Sequence, residues 1–456
     1  MEHKKNIYFL GIGGIGMSAL ARYFNAQGYM VSGYDKTPSP LTNKLQQEGI
    51  LVSFNDAIKD LNPIYVERKT GVMVVYTPAI PAYNVLLNFF KNEGYSLAKR
   101  AEVLGMVTKQ TTNLSVAGTH GKTTTSSIVA TILLYSEKQF SAFLGGISTN
   151  LGSNYFYQKG IGEQHISVTE ADEFDRSFLK LSPDYAIITS TDADHLDIYG
   201  KKEDLEQSYI DFSELVRNPT HRFYAKEYAN NIEGVSYSAS DKSAEYYAVV
   251  TSKSGKGTHF SIANTVGEEE IVDLYLNLPG HHNLENAIGA TLMTLKAEVS
   301  LDAVRSGLAN FKGIKRRFEY VLDTDKIIYI DDYAHHPSEL RAIISSVRDL
   351  YPTKKITAVF QPHLFSRTQD FMAEFAHELS QVDELLLLPI YPARELPIVG
   401  VTSEAVLEKM SLKNAKCVAK ENVLTELQNK EIEVLLTLGA GDIDRLVSPI
   451  QTYYGS

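Results

Sequence analysis

Cysteine is almost absent from this sequence: Cys417 is the single one, so no disulfide can form within the chain. This scarcity predicts a reducing, cytoplasmic setting. Long apolar runs are absent too, since none reaches the roughly 20 residues that a membrane span needs. The opening segment MEHKKNIYFLGIGG enters a strand directly and has no apolar signal region. We therefore expect no stable membrane insertion.

An excess of positive charge is also missing. The chain has 44 Lys and Arg against 55 Asp and Glu, a net charge of −11. This balance argues against general binding to nucleic acid or to anionic membranes, but it permits local basic sites for anionic substrates. The 456 residues, 44% of them apolar, are enough for about two to four domains with their own cores. A monomer or a homodimer is expected.

Strand-like and helix-like segments alternate through most of the chain, which is typical of an α/β fold with parallel sheets. The alternation starts with NIYFLGI and MSALARYFNAQG, restarts at NLSVAG, and restarts again at KIIYIDDYAHHPSELRAIISSV. Each restart indicates a new domain. Residues 234–278 are more β-rich, and TSKSGKGTHF predicts a hairpin there.

A glycine-rich loop follows the first strand, in YFLGIGGIGMSAL. Three of its glycines fit the pattern G-x-G-x-x-G, and Asp35 ends the next strand-like run, 19 residues after the third glycine. Backbone amides at such a helix N-terminus bind a diphosphate. The pattern fits the diphosphate of NAD as well as that of another nucleotide. The candidate binding residues are Gly11, Gly13, Gly14, Ile15, Gly16 and Asp35.

A second loop, SVAGTHGKTTT at residues 115–125, predicts a nucleotide triphosphate site. Its glycines let backbone amides face phosphate oxygens, Lys122 can reach the β- and γ-phosphates, and Thr123 can place its hydroxyl on Mg²⁺. The loop departs from G-x-x-x-x-G-K-[ST] because Val116 stands where the first glycine belongs. A glycine turn capped by threonines is the alternative. The candidate residues are Gly118, Thr119, His120, Gly121, Lys122, Thr123 and Thr124.

Acidic residues follow the next two strand-like runs. TEADEFD, residues 169–175, contains Glu170, and DADHLD contains His195. Clustered carboxylates at a strand end favour a bound cation, and a hard cation prefers oxygen ligands with at most an occasional imidazole. A hydrogen-bonded structural histidine is the alternative for His195. Asp175 and Asp194 are expected to be helix caps or solvated.

Amides and arginines occupy further compact motifs. PGHHNLENAIGA places Asn283 and Asn286 on one helix face, where their amides could contact a purine, although Asn283 could instead cap the helix. KGIKRRFEY supplies Arg317 for triphosphate oxygens, with a solvated basic loop as the alternative. In FQPHLFSRT, Arg367 could bind a carboxylate through two hydrogen bonds.

Eleven motifs, taken together, resemble the Mur ligase family. They occur in the family's order, from about residue 6 to residue 445, and cover nearly the whole chain. The motifs are GIGGIGMS, YTPAI, RAE, AGTHGKTTT, EADEFD, DADHLDIYG, GHHNLENA, KRRFE, DDYAHHPSE, FQPHLFSRT and GAGDI.

The resemblance implies an α/β fold with three domains. They are a Rossmann-like UDP-sugar domain at 1–108, a P-loop-type ATP domain at 109–321 and a Rossmann-like amino-acid domain at 322–456. The order and the residues of the motifs are most similar to those of members that join L-alanine to UDP-N-acetylmuramate during peptidoglycan synthesis. In that reaction ATP phosphorylates the lactyl carboxylate, and the amine of L-alanine attacks the acyl phosphate.

The resemblance also implies roles for individual residues. Thr123 and Glu170 would hold Mg²⁺ (or Mn²⁺) between phosphates, and His195 a second ion near the acyl phosphate. The implied catalytic residues are Lys122, Glu170, His195, His335 and Arg367. The implied binding residues are Asn283 and Asn286 for adenine, Arg317 and Asp332 for ATP, Tyr333, His335 and Arg367 for alanine and the new amide, and Arg100 and Glu102 for the UDP-sugar.

Two positions depart from the family pattern. Leu364 stands where members often have an arginine after FQPH, so Arg367 is expected to take more of the carboxylate contact. The segment Asn84-Val85-Leu86 stands where N-P-E is common, which puts the sugar contacts of that loop in doubt.

Three other functions compete with this interpretation. The first is a related ligase that recycles murein tripeptide onto UDP-N-acetylmuramate. The second is an NAD-dependent oxidoreductase built on the first glycine loop, which leaves the second loop and the metal carboxylates unexplained. The third is a non-catalytic nucleotide-binding regulator, which predicts no phosphate release from ATP.

Overall fold

The computed structural model describes residues 6–67, 71–161, 164–192, 199, 201–229, 231–267, 270–393 and 395–455. The chain divides into two compact units, Met1–Lys312 and Gly313–Ser456. The first unit contains two sheets and the second contains one. None of the described helices is long and apolar enough to cross a membrane.

Five strands form the first sheet, and all of them pair in parallel. They are β1 (Asn6–Leu10), β2 (Met30–Tyr34), β3 (Leu51–Ser53), β4 (Val72–Tyr76) and β5 (Ser96–Lys99), in the order β3-β2-β1-β4-β5. The helices of this block are α1 (Ile15–Ala26), α2 (Pro40–Gln47), α3 (Ile64–Glu67), α4 (Val85–Asn92) and α5 (Arg100–Thr108), with a 3₁₀ turn at Ile58–Asp60. Every residue of β1 is buried, as expected for a central parallel strand.

Ten strands form the second sheet. They are β6 (Thr112–Ala117), β7 (Gln139–Ser148), β8 (Ser153–Gln158), β9 (His165–Glu170), β10 (Tyr185–Ile188), β11 (Arg222–Ala225), β12 (Val235–Ser238), β13 (Tyr246–Lys253), β14 (Thr258–Asn264) and β15 (Ile271–Leu276). Their order is β15-β14-β13-β12-β11-β10-β6-β9-β7-β8. The helices are α6 (Lys122–Leu134), α7 (Lys202–Glu214), α8 (His281–Lys296) and α9 (Leu301–Ala309), with 3₁₀ turns at Phe174–Lys180 and Pro219–His221.

The predicted hairpin lies within this sheet. β13 and β14 pair antiparallel, so the chain reverses between Lys253 and Thr258, and β15 extends the ribbon antiparallel to β14. The central strands β9, β6 and β10 are parallel to one another. Their carboxyl ends therefore meet at one edge, where ligands bind in open α/β sheets.

Six strands form the third sheet, in the second unit. They are β16 (Glu319–Asp323), β17 (Ile328–Asp332), β18 (Ile356–Phe360), β19 (Glu384–Leu387), β20 (Ala415–Cys417) and β21 (Val434–Leu438), in the order β16-β17-β21-β18-β19-β20. The helices are α10 (Pro337–Leu350), α11 (Phe365–Asp370), α12 (Met372–Leu379), α13 (Ser403–Leu407), α14 (Val423–Gln428) and α15 (Val447–Tyr454), with 3₁₀ turns at Lys420–Asn422 and Asp442–Leu446. Only β16 runs antiparallel to its neighbour.

One apolar core serves both sheets of the first unit. It joins buried residues of the first sheet and of its helix α1, such as Phe9 and Leu20, to buried residues of the second sheet, such as Phe143. Tyr23 on α1 makes this junction, because its ring centroid lies 5.7 Å from that of Phe143 and 6.1 Å from that of Tyr155. The predicted α/β class with three sheet domains is confirmed. The exact domain limits stay a prediction.

Candidate active site

The second glycine loop joins β6 to α6 with the backbone that its glycines predict. Gly118 has φ +135° and Gly121 has φ +80°, conformations that residues with a Cβ rarely adopt. A Cβ on Gly118 would collide with the Thr189 hydroxyl, and one on Gly121 would lie 2.6 Å from Asn286 Oδ1. Gly121 is the N-cap of α6, so the loop and the helix N-terminus together form an anion site.

Residues at the end of β10 fix the shape of this loop. The amide of Thr119 donates to the Ser190 carbonyl at 3.1 Å, and the amide of His120 donates to Ser190 Oγ at 2.9 Å. The Thr119 hydroxyl donates to the Asp192 carbonyl at 2.7 Å. These contacts indicate that Thr119 and His120 support the shape of the loop.

Lys122, the predicted phosphate ligand, lies folded against its own loop. Its Nζ donates to the carbonyls of Gly118 at 2.5 Å and Thr119 at 3.2 Å. Both carboxylate oxygens of Glu173 lie 2.8 Å from the same Nζ. Burial acts to lower the pKa of Lys122, but the carboxylates of Glu173 and Glu170 outweigh burial and raise it. Lys122 is therefore charged at neutral pH.

Two of the three proposed metal ligands lie in the described chain. Glu170 ends β9, and its Oε2 accepts a hydrogen bond from the Gly145 amide at 3.0 Å. Thr123 is 6% exposed in the first turn of α6. A hydroxyl and a carboxylate are the hard oxygen donors that Mg²⁺ accepts alongside phosphate and water, so this donor set fits the ion. His195 lies outside the described residues.

The helix α8 carries both predicted adenine contacts. The side-chain oxygen of Asn286 lies against Gly121 of the phosphate loop. The side-chain amide of Asn283 is buried and donates to the Pro279 carbonyl at 2.6 Å. Gly280 is the N-cap of this helix, so the alternative that Asn283 caps it is wrong.

Sequence reasoning missed Glu285, which lies between these two asparagines. It is 4% exposed, and its Oε2 accepts from the Ala239 amide at 2.5 Å, which connects α8 to the end of β12. Its Oε1 and the hydroxyl of Tyr237 are both buried without a hydrogen-bond partner among the described residues. Burial raises the pKa of Glu285 to about 7. Only the apparent misfit of a charged residue on an apolar helix face could have singled it out.

In the first glycine loop, the predicted glycines have steric reasons for being glycine. Gly11 has φ +87°, and a Cβ there would lie 2.8 Å from Thr77 Cγ2. The amide of Gly13 donates to Asp35 Oδ2 at 2.8 Å. Asp35 therefore stabilises the loop itself, a role that the G-x-G-x-x-G pattern did not predict. Gly14 is the N-cap of α1, and Ile15 begins that helix.

Arg100 connects this loop to the acidic segment of the second sheet. Its guanidinium lies so close to Gly16 that a Cβ there would be 2.6 Å from Nη1, and Nη2 donates to Asp172 Oδ2 at 2.8 Å. The Glu102 carboxylate accepts from the Lys99 amide at 2.8 Å and so caps its own helix. Arg100 is thus well placed for the diphosphate loop, whereas Glu102 has a local structural contact.

The two departures from the family pattern have local structural contacts. Asn84 caps α4, since its Oδ1 accepts from the Leu87 amide at 2.9 Å. Leu364 caps α11 with φ +72°, an unusual conformation for a bulky side chain, and its amide donates to the Tyr391 carbonyl at 3.0 Å. Arg367 follows within the same short helix.

In the second unit, the basic triplet of KRRFE separates into different contacts. Lys315 pairs with Glu319 at 2.5 Å, and Arg316 pairs with Asp331 at 3.3 Å. The guanidinium of Arg317 lies over the ring of Tyr333, 5.8 Å from its centroid, and its charge acts to lower the pKa of Asp332. The Asp332 carboxylate accepts from the amides of Phe318 and Ala334, each at 2.7 Å, and burial raises its pKa to about 6.

Four rings contact one another in sequence at the carboxyl ends of β17 and β18, two of the contacts edge-to-face and one stacked. The ring of His335 lies 5.3 Å from Tyr333 and 6.0 Å from His363, and His363 stacks on Tyr391 at 5.7 Å. Burial lowers the pKa of His335 and lowers that of His363 to about 4, and Arg367 adds to both changes. Both imidazoles are thus neutral beside a cation, a setting that can bind an amine and a carboxylate. Tyr391 was missed by sequence reasoning.

These features define a nucleotide-binding α/β protein with a phosphate loop. Three family models match the chain: "Mur ligase family, catalytic domain" at residues 6–112, "Mur ligase middle domain" at 116–294, and "Mur ligase, glutamate ligase domain" at 316–443. The chain belongs to the Mur ligase family, and it is an ATP-dependent ligase.

Close relatives span nearly the whole chain. The UDP-N-acetylmuramate–L-alanine ligase of Flavobacterium johnsoniae is 47% identical, with 98% of this chain and 97% of the relative covered. The same-named ligase of Porphyromonas gingivalis strain ATCC 33277 is 47% identical over 98% of this chain and 99% of its own.

Solved structures match the fold over the full length. The UDP-N-acetylmuramate–alanine ligase of Thermotoga maritima has a TM-score of 0.83 at 26% identity, covering 99% of each chain. A murein peptide ligase of Psychrobacter arcticus has a TM-score of 0.70 at 21% identity, also covering 99% of each chain, and this match concerns the fold alone.

Proposed function

We propose that this chain joins L-alanine to the lactyl carboxylate of UDP-N-acetylmuramate at the expense of ATP, in the cytoplasm. The observation that carries the proposal is the phosphate loop with Lys122 and Glu170 at one sheet edge, in a chain 47% identical to ligases of that name along almost its whole length. ATP would convert the carboxylate, a poor electrophile, into an acyl phosphate. The amine of alanine would then displace phosphate.

The proposed work of the first unit is to bind two anions and neutralise them. The loop of Gly11, Gly13 and Gly16 would bind the diphosphate of the UDP-sugar, with Arg100 beside it. The amides of the second loop and Lys122 would bind the triphosphate and stabilise charge on the γ-phosphoryl group as it transfers.

Mg²⁺ (or Mn²⁺) is the proposed cation: Thr123 and Glu170 would hold one ion, and His195 would hold a second ion near the acyl phosphate. When bound, such an ion offsets the repulsion between the carboxylate and the γ-phosphate. Asn283 and Asn286 are proposed to contact adenine, and Arg317 and Asp332 to contact ATP.

The second unit is proposed to bind alanine. Arg367 would bind its carboxylate, and the neutral imidazole of His335 would accept a hydrogen bond from its amine. Tyr333, whose ring contacts that of His335 edge-to-face, would form a further wall of the same site.

Phosphate release tests the proposal directly. With ATP, Mg²⁺ and UDP-N-acetylmuramate fixed, L-alanine should support release, whereas murein tripeptide should not. Preference for the tripeptide would instead identify the recycling ligase, and no release with either would favour a nucleotide-binding regulator. Lys122→Ala should abolish ligation while UDP-N-acetylmuramate still binds, and full activity of that variant would disprove the assigned ATP site.

A further inference from the structure

The ammonium group of Lys122 is surrounded by three acceptors from the protein itself. It carries three N–H groups. The Gly118 carbonyl, the Thr119 carbonyl and the Glu173 carboxylate lie around it at 2.5, 3.2 and 2.8 Å. A phosphate can bind Lys122 only if one of these contacts is given up.

Glu173 differs from the two carbonyls because it is charged and belongs to another segment. The carbonyls are part of the phosphate loop, whereas Glu173 follows β9 and is positioned by the Tyr199 hydroxyl, which donates to its backbone carbonyl at 2.6 Å. The Glu173 side chain is 3% exposed, so water cannot replace Lys122 as its partner without rearrangement. Separating a buried ion pair is costly since it leaves an unpaired buried charge.

We propose that Glu173 is a positioning residue that holds Lys122 in the nucleotide-free enzyme and is displaced from it by the triphosphate of ATP. This inference rests on the proposed ATP site. Glu173 keeps the ammonium group of Lys122 against the phosphate loop, competes with the triphosphate for it, and pairs with it again when ADP leaves. The carboxylate thus weakens the affinity for nucleotide and in return speeds product release.

Nucleotide affinity tests the inference without any ligation. Calorimetry with ATP and Mg²⁺, and with ADP and Mg²⁺, on the full chain should give tighter binding to Glu173→Gln than to wild type, on the order of tenfold. Asp175→Asn is the matched control. It removes the same charge two residues away, from an exposed pair with Lys99 at 2.9 Å, and should leave both affinities unchanged.

Steady-state kinetics supply the second readout. For Glu173→Gln we expect KM for ATP and kcat to fall together, because a competing contact of the free enzyme is gone and ADP leaves more slowly. A purely structural ion pair would lower the melting temperature and leave nucleotide affinity unchanged, which overturns the inference, as would weaker nucleotide binding. If Glu173→Gln does not fold, Glu173→Asp must show the same tightening to a smaller extent. Loss of alanine ligation with intact tightening would count against the proposed function alone.

Discussion

The side-chain amide of Asn154 donates to the backbone carbonyl of Ile15 at 2.5 Å, joining β8 of the second sheet to the first turn of α1. The same amide donates to Ser18 Oγ at 2.9 Å, and its oxygen accepts from Arg22. Asn154 is fully buried, and all three of these side-chain hydrogen bonds are made with α1. The helix that follows the first glycine loop is thereby attached to β8 of the second sheet.

Asn154→Ala should therefore affect the UDP-sugar more than ATP. We expect KM for UDP-N-acetylmuramate to rise about tenfold, because buried hydrogen bonds to the loop helix are lost, while KM for ATP changes little. Asn150→Ala is the control, since within the described part of the chain its side chain hydrogen-bonds to Asn310 and Lys312 and not to α1. Equal effects of both variants on both substrates would contradict this reading.

Asp35→Ala should also act on the first loop. Its carboxylate accepts from the Gly13 amide, so its removal frees the loop to adopt other conformations. The expected loss is about 1–2 kcal/mol of UDP-sugar binding, with ATP binding unchanged, measured by calorimetry for each ligand separately. Wild-type affinity in this variant would show that the hydrogen bond does not shape the site.

Gly118→Ala should impair ATP binding through the backbone. The residue has φ +135°, and the new methyl group would collide with Thr189. We expect a loss of about 1–3 kcal/mol in stability or nucleotide binding. Gly49→Ala separates the two causes, because Gly49 also has a positive φ, +86°, but its Cβ would meet nothing within 4 Å. That variant should lose some stability and keep its affinity for ATP.

Glu285→Gln should change stability in a pH-dependent way. The folded pKa is about 7 against an ordinary 4.5, so between those values the folded protein keeps a proton that the unfolded chain releases. The wild type therefore loses stability as pH rises through this window, by up to about 3 kcal/mol at full ionisation.

Glutamine is neutral at every pH, so Glu285→Gln does not lose stability as the pH rises through this window. The melting temperature of Glu285→Gln should exceed that of wild type at pH 8, and the two should converge toward pH 5. A temperature difference that is the same at both pH values would show that Glu285 does not titrate in this range.

Local sequence patterns predicted much of the fold and part of the site. The two glycine loops need particular backbone angles, and parallel strands bring their carboxyl ends to one edge, so Lys122 and Glu170 could be placed from the sequence. The hairpin between Lys253 and Thr258 followed from its glycines and serine.

What the sequence did not reveal depends on distant contacts. TEADEFD offers four carboxylates of similar appearance, and only the folded chain distinguishes Glu173 on Lys122 from Asp172 on Arg100. Asn154 meets Ile15 across 139 positions, a separation at which no periodic pattern carries information. Asn283 looked like a helix cap because the conformation of Gly280 cannot be read from its neighbours.

The shared core of the first two sheets has a consequence for how the chain can be shortened. Phe143 and Tyr155 pack on Tyr23. A fragment that ends after α5 lacks both residues and would therefore expose the aromatic surface around Tyr23 to water. During synthesis, the apolar core that the first two sheets share becomes complete only after β7 and β8 have been made. A fragment of residues 1–312 should therefore be recovered as soluble folded protein, and one of residues 1–108 should aggregate.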